Sequence, residues 1–185
     1  MNLVVAMTGA SGALYTQRLL DNLETRQHAI HFIATHHAGE VAALELPGGL
    51  QIPAGIKNYQ ETGSMLVPFV SGSAKFDAMI VIPASMGTVG RIATGVSDST
   101  IARAADVFLK ERRQLILVPR EAPYNLIHLR NLVTLTEAGA TIIPASPSFY
   151  SQPQTIAQLV DTIIARVLDH LGIEHQLAKR WQSAD

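Results

Sequence analysis

Short unbroken apolar runs alternate along the chain with longer stretches in which apolar residues return every three or four positions. The runs at 3–7, 30–34, 78–82, 115–118 and 141–143 contain few polar residues. Such runs predict strands buried on both faces of a parallel sheet, because an exposed face would demand alternation. Helical spacing predicts helices over 12–23, 37–46, 86–94, 99–110, 126–138 and 155–171. Pro83, Pro119 and Pro144 are expected to stop strands. Gly95, Gly139 and Gly172 are expected to close helices, with Asp98 as an N-cap. Residues 47–76 are rich in Gly, Pro and Ser and weakly periodic, which predicts an irregular excursion. Strand–helix alternation then gives an α/β, doubly wound parallel sheet with right-handed crossovers, in a single domain over residues 1–185.

Composition narrows the class. Hydrophobic residues make up 48% and charged residues 16% of the 185, and aromatics only 5%. The apolar excess at a mean hydropathy of +0.20 predicts that copies of the chain cover part of its surface. A formal net charge of −1, with no basic run, disfavours nucleic acid as a partner. The absence of cysteine excludes disulfides and thiolate chemistry. No apolar run approaches the length of a membrane span, and the start of the chain reads as a first strand, so the expectation is a soluble, cytosolic protein.

In doubly wound sheets, ligands bind outside the carboxyl ends of the strands. The residues just after each strand are therefore the candidates. Gly9-Ala10-Ser11-Gly12 combines close backbone approach with a helix N-terminus, a setting for a phosphate or a flavin edge. It also reads as a plain tight turn, and it lacks the full dinucleotide spacing. Pro83-Ala84-Ser85-Met86-Gly87-Thr88 repeats the arrangement, against the plain reading of Ser85 as a helix cap. Arg120 and Glu121, at the rim of a buried strand, offer a bidentate phosphate ligand and a proton shuttle, or a structural ion pair. Spacing alone assigns no function to Lys110, Glu111, Arg112 or Arg113, and Glu45 passes for a solvated helix residue. His36 and His37 diverge on a helix and do not make a metal site.

Taken together these strings resemble the UbiX flavin prenyltransferase family. The resemblance is carried by the Thr8–Gly12 turn, the Pro83–Thr88 loop, Arg103-Ala104-Ala105-Asp106-Val107 with Leu109 to Arg113, and Leu117 to Pro123. Ile127-His128-Leu129, Ser148-Phe149-Tyr150 with Gln152-Pro153-Gln154, and Arg180-Trp181 extend it nearly end to end. It implies a flavodoxin-like fold assembled as a homododecamer, with active sites shared between neighbouring protomers and no metal. It implies transfer of a dimethylallyl group from dimethylallyl monophosphate to N5 and then C6 of reduced FMN, the product serving a UbiD-type decarboxylase.

By the same resemblance Gly9, Ala10, Ser11, Thr35, Ser85, Met86, Gly87, Thr88 and Arg120 contact FMN. Arg103, Lys110, Tyr150 and Arg166 hold the prenyl phosphate, and Trp181 walls the prenyl pocket. Glu121, Ser11 and Glu45 are the catalytic candidates. An allylic phosphate departs as an anion, so cationic and phenolic donors must gather where that charge develops.

Four positions depart from the family pattern: Ala84 stands for a common cysteine, Thr35 for serine, His36 for lysine and Ser99 for asparagine. Two other readings compete. One is a sibling FMN-dependent cysteine decarboxylase, whose loop reads PASANT; here Met86-Gly87 replaces its Ala-Asn. The other is a non-catalytic flavin-binding subunit, against which the second, phosphate-directed set of residues argues.

Overall fold

Six strands run in parallel in the order β3-β2-β1-β4-β5-β6. They are β1 (Asn2–Met7), β2 (Ala29–Ala34), β3 (Lys57–Gln60), β4 (Ala78–Ala84), β5 (Gln114–Pro119) and β6 (Thr141–Ile142). The helices are α1 (Ala13–Asp21), α2 (His36–Glu45), α3 (Met86–Ala93), α4 (Thr100–Lys110), α5 (Leu126–Glu137) and α6 (Ile156–Leu171). The computed structural model describes residues 1–178. Trp181, and Arg180 beside it, lie outside the described residues.

The strands are apolar throughout because both faces are covered. Leu3, Val5 and Met7 of β1 face a core shared with Leu19 and Leu20 of α1, Ala38 and Ala42 of α2, and Ile164, Val167 and Leu168 of α6. Val4 and Ala6, turned the other way by the pleat, meet Val89 of α3, Ile101, Ala104 and Phe108 of α4, and Leu135 of α5. Phe32 and Phe108 are fully buried on opposite faces, and truncating either to alanine costs about 3–5 kcal/mol. Across one face Arg18 of α1 grips Asp161 of α6 through two 2.7 Å bonds, so two packed helices are also pinned by charge.

Three local expectations change. The segment 47–76 contains strand β3, in register with β2 from His31 opposite Lys57 to Ala34 opposite Gln60. An edge strand needs only one apolar contact face, and of Lys57, Asn58, Tyr59 and Gln60 only Tyr59 packs on the core. Strand β4 continues through Pro83 to Ala84, with a register irregularity against β5 between Val81 and Ala84. The cap of α4 is Ser99, whose hydroxyl accepts from the Ala102 amide at 3.1 Å, while Asp98 faces Arg91 at 3.4 Å.

The strand order reverses between β1 and β4, and the crevice outside their carboxyl ends is where such sheets bind ligands. That edge is closed on one side by α2. His37 at its start packs on Gly9, where an added Cβ would lie 2.7 Å from the His37 Cβ. Glu45 at its far end bonds Gly12.

Candidate active site

Thr8 ties the two central loops together. Its hydroxyl, fully buried, donates to the Pro83 carbonyl at 2.8 Å and accepts from the Ser85 amide at 2.7 Å. The β1–α1 turn and the start of α3 are thereby held as one surface.

The start of α1 is occupied from within. The Glu45 carboxylate accepts from the Gly12 amide at 2.8 Å and the Ala13 amide at 2.7 Å. Burial pushes its carboxyl up, but the Ser11 hydroxyl, those two amides and the Arg120 charge overcome this and hold it below the ordinary value. Arg120 completes the group, its Nε donating to the Ser11 carbonyl at 3.0 Å. The Gly12 and Ala13 amides, which the sequence offered to a phosphate, are thus already spent. Gly12 sits at φ +117°, where only glycine is unstrained. Gly9 also serves the close packing of α2, since a side chain there would run into His37.

The start of α3 is different. The Ser85 hydroxyl takes the Thr88 amide at 3.4 Å and lies 3.1 Å from the Thr88 hydroxyl. The Ser85 amide goes to Thr8. The first-turn amides of Met86 and Gly87 remain, aimed out of the carboxyl edge with the positive end of the helix behind them. Over Gly87 an added Cβ would meet only the Arg91 guanidinium, at 3.5 Å. That glycine leaves room for a flat ring to lie against the backbone. The α3 amides, the Arg120 guanidinium and the Thr35 cap fit FMN by chemistry, as donors to carbonyl and phosphate oxygens.

Thr35 caps α2, accepting from the Ala38 amide at 3.1 Å. A groove of about 510 Å³ opens outward from it between α2 and strands β2 and β3. His36 and His37 both turn to Glu40, at 3.4 and 2.8 Å. Among the described residues no group of three or more His, Asp or Glu is placed to hold a metal ion.

Glu121 lies two residues past the end of β5, half-buried, and its carboxylate accepts from the Ala122 amide at 3.1 Å. Burial and then the Glu121 charge push the neighbouring Tyr124 phenol up. Tyr150 lies on the segment leaving β6 and is 81% exposed. Gly9, Ala10, Ser11, Glu45, Ser85 to Thr88, Arg120 and Glu121 therefore share one edge.

Two of the phosphate-directed cations, Lys110 and Arg166, do not join them within one chain. Helix α4 starts at the carboxyl edge, where Glu61, just past β3, accepts from the Thr100 and Ile101 amides at 3.0 and 2.8 Å. Arg103 is near that end, paired with Asp106 at 2.7 Å. Lys110, paired with Glu111, stands at the opposite edge, roughly 15 Å along the helix. Arg166 lies late in α6, whose end meets the first residue of β5 through the Gln114 amide and the His170 carbonyl, 2.7 Å apart. It too belongs to the amino half of the molecule. The capping role of Glu61 was not read from the sequence; its partners lie about forty positions on, and no local pattern marks such a pair.

Comparison with known proteins places this geometry. The family model described as Flavoprotein matches residues 1–168. The flavin prenyltransferase UbiX of Methanocaldococcus jannaschii is 41% identical over 98% of each chain. A solved structure of AnUbiX in complex with FMN and dimethylallyl pyrophosphate superposes with a TM-score of 0.89 at 37% identity, covering 100% of this chain and 98% of that one. A dodecameric FMN-dependent UbiX-like decarboxylase from Escherichia coli O157:H7 also gives 0.89, at 38% identity over 99% and 100%. A doubly wound sheet of this topology, matched nearly end to end at such identity, places the chain in the flavoprotein family as a member of its UbiX flavin prenyltransferases.

Proposed function

We propose that the protein joins a dimethylallyl group, taken from dimethylallyl monophosphate, to N5 and C6 of reduced FMN, working in the cytoplasm as one domain over residues 1–185. The observation that carries this reading is the contrast at the carboxyl edge: a carboxylate fixed at α1 beside Ser11 and Arg120, facing open amides at α3. FMN supplies the nucleophilic nitrogen and carbon. Gly9 to Ser11, Thr35, Ser85 to Thr88 and Arg120 hold it against the sheet edge.

The donor's C–O bond breaks with the electron pair leaving on phosphate, so positive donors there lower the barrier. Arg103, Lys110, Tyr150 and Arg166 are those donors. Glu121 takes the proton lost at N5 and returns it to the phosphate, and Glu45 with Ser11 serves the proton lost at C6. Because Lys110 and Arg166 stand in the amino half of their own chain, neighbouring copies bring them to the flavin, in a dodecamer like that of the Escherichia coli relative. Exposed Leu126, Ile127, Leu129 and Val133 on α5 supply apolar surface for such packing. By the family resemblance Trp181, outside the described residues, belongs with the donor-binding set, and a UbiD-type decarboxylase receives the product.

The test is anaerobic incubation with reduced FMN and either dimethylallyl monophosphate or the pyrophosphate found in the solved relative, then mass spectrometry of the extracted flavin. A flavin heavier by one dimethylallyl unit with the monophosphate is expected. Unaltered flavin from folded, FMN-loaded protein with both donors overturns the reading. Glu121→Gln is expected to keep FMN while slowing turnover by about a hundredfold or more.

A further inference from the structure

Near the end of α6, Arg166 donates from one guanidinium nitrogen to Asp169 Oδ2 at 2.8 Å. An exposed pair one turn apart on a helix is ordinarily worth a few tenths of a kcal/mol and orders nothing. This one is backed. The other oxygen of Asp169 is 3.2 Å from Nε2 of His175, an imidazole only 6% exposed. The Leu177 amide donates to Nδ1 of the same ring at 3.3 Å. A ring whose Nδ1 accepts carries its proton on Nε2, so His175 donates to Asp169 and its tautomer is set by the backbone of the following segment.

The chain of contacts therefore runs from a fixed backbone amide, through a buried ring, to a carboxylate that is 26% exposed and a guanidinium that is 61% exposed. Arg166 spends one of its five N–H donors on Asp169 and keeps a two-nitrogen edge for a ligand. A guanidinium held this way loses less rotamer freedom when it closes on an anion.

We propose that Asp169, oriented by His175, is a positioning residue that presents Arg166 to the phosphate of the allylic donor. This rests on the reading that Arg166 holds that phosphate. The same contacts join the residues after α6 to the helix, so the course of the chain beyond Gly172 is coupled to the aim of Arg166.

The experiment compares Arg166→Ala, Asp169→Asn and His175→Asn in FMN-loaded protein. It records kcat and KM for dimethylallyl monophosphate, FMN affinity and melting midpoint. Arg166→Ala is expected to raise KM most. Asp169→Asn should raise KM about three- to tenfold with kcat, FMN affinity and melting midpoint unchanged, and His175→Asn should follow it more weakly. If Arg166→Ala raises KM and folded Asp169→Asn does not, the positioning role is wrong and the phosphate assignment stands. An Asp169→Asn protein that melts earlier with unaltered KM likewise reduces the contact to a structural one. If Arg166→Ala itself leaves KM unchanged, the phosphate assignment falls and the inference falls with it.

Discussion

Two helix N-termini stand side by side at the switch point and look alike in sequence. Each follows a buried strand, each loop carries a serine and a glycine, and each offers unpaired amides to an anion. In the fold they have opposite uses. The start of α1 is filled by Glu45, whose carboxylate takes the Gly12 and Ala13 amides. The start of α3 keeps its Met86 and Gly87 amides toward the edge. What a helix N-terminus can offer a ligand thus depends on which of its amides the protein's own side chains have taken. At the claimed one, two amides, a hydroxyl and the Arg120 charge outweigh burial and hold the Glu45 carboxyl below its ordinary value, which keeps it ionised and fixed in place.

The comparison breaks most sharply at Glu45. Glu45→Gln should cut flavin prenylation by about a hundredfold and cost about 1 kcal/mol of stability through the weakened cap. Extracted-flavin mass spectrometry and thermal melting measure both. Unchanged turnover would leave α1 with a merely structural cap.

Gly87→Ala probes the open end. The protein itself has room for the methyl group, so folding should hold or gain by about 0.5 kcal/mol in helix propensity. FMN affinity should drop about tenfold as the ring is lifted from the amides. Fluorescence titration that finds FMN binding as before would remove α3 from the flavin site.

The smallest effect is in pH. The folded value of Glu45 lies below its ordinary 4.5, so above that pH the carboxylate's contribution to stability is whole. As pH falls from 4.5 through the folded value, protonation is resisted by the native state alone and the contribution drains away. The melting difference between wild type and Glu45→Gln should therefore narrow on acidification. A difference that stays constant into acid would mean the contacts do not depend on charge.

The sheet was readable in advance because its cause is local. Five of its six strands announce themselves as apolar runs, and Gly95, Gly139 and Gly172 follow helices as expected, though β4 runs on through Pro83. Strand β3 was hidden, since Lys57, Asn58 and Gln60 give an edge strand almost no apolar signature. The cap of α4 was misplaced by one residue, because Asp98 and Ser99 are equally good caps by type and only geometry chooses between them.

The site was legible in part. Its loops follow from topology, since strand ends of a parallel sheet must share one edge, and the motif resemblance named the same residues. Glu45 on α2 looked solvated because its partners lie more than thirty positions back. That Gly9 must also leave room for His37 has no signature in the sequence.

By itself the order of residues determined the five apolar strands, the helices and their alternation, because backbone preference and burial period act over a few neighbours. Tertiary structure alone decided which helix end stays open, why Arg120 meets Ser11, and which cations stand half a molecule from the flavin edge. Those outcomes depend on contacts between distant segments, where direction and distance count and residue type does not suffice.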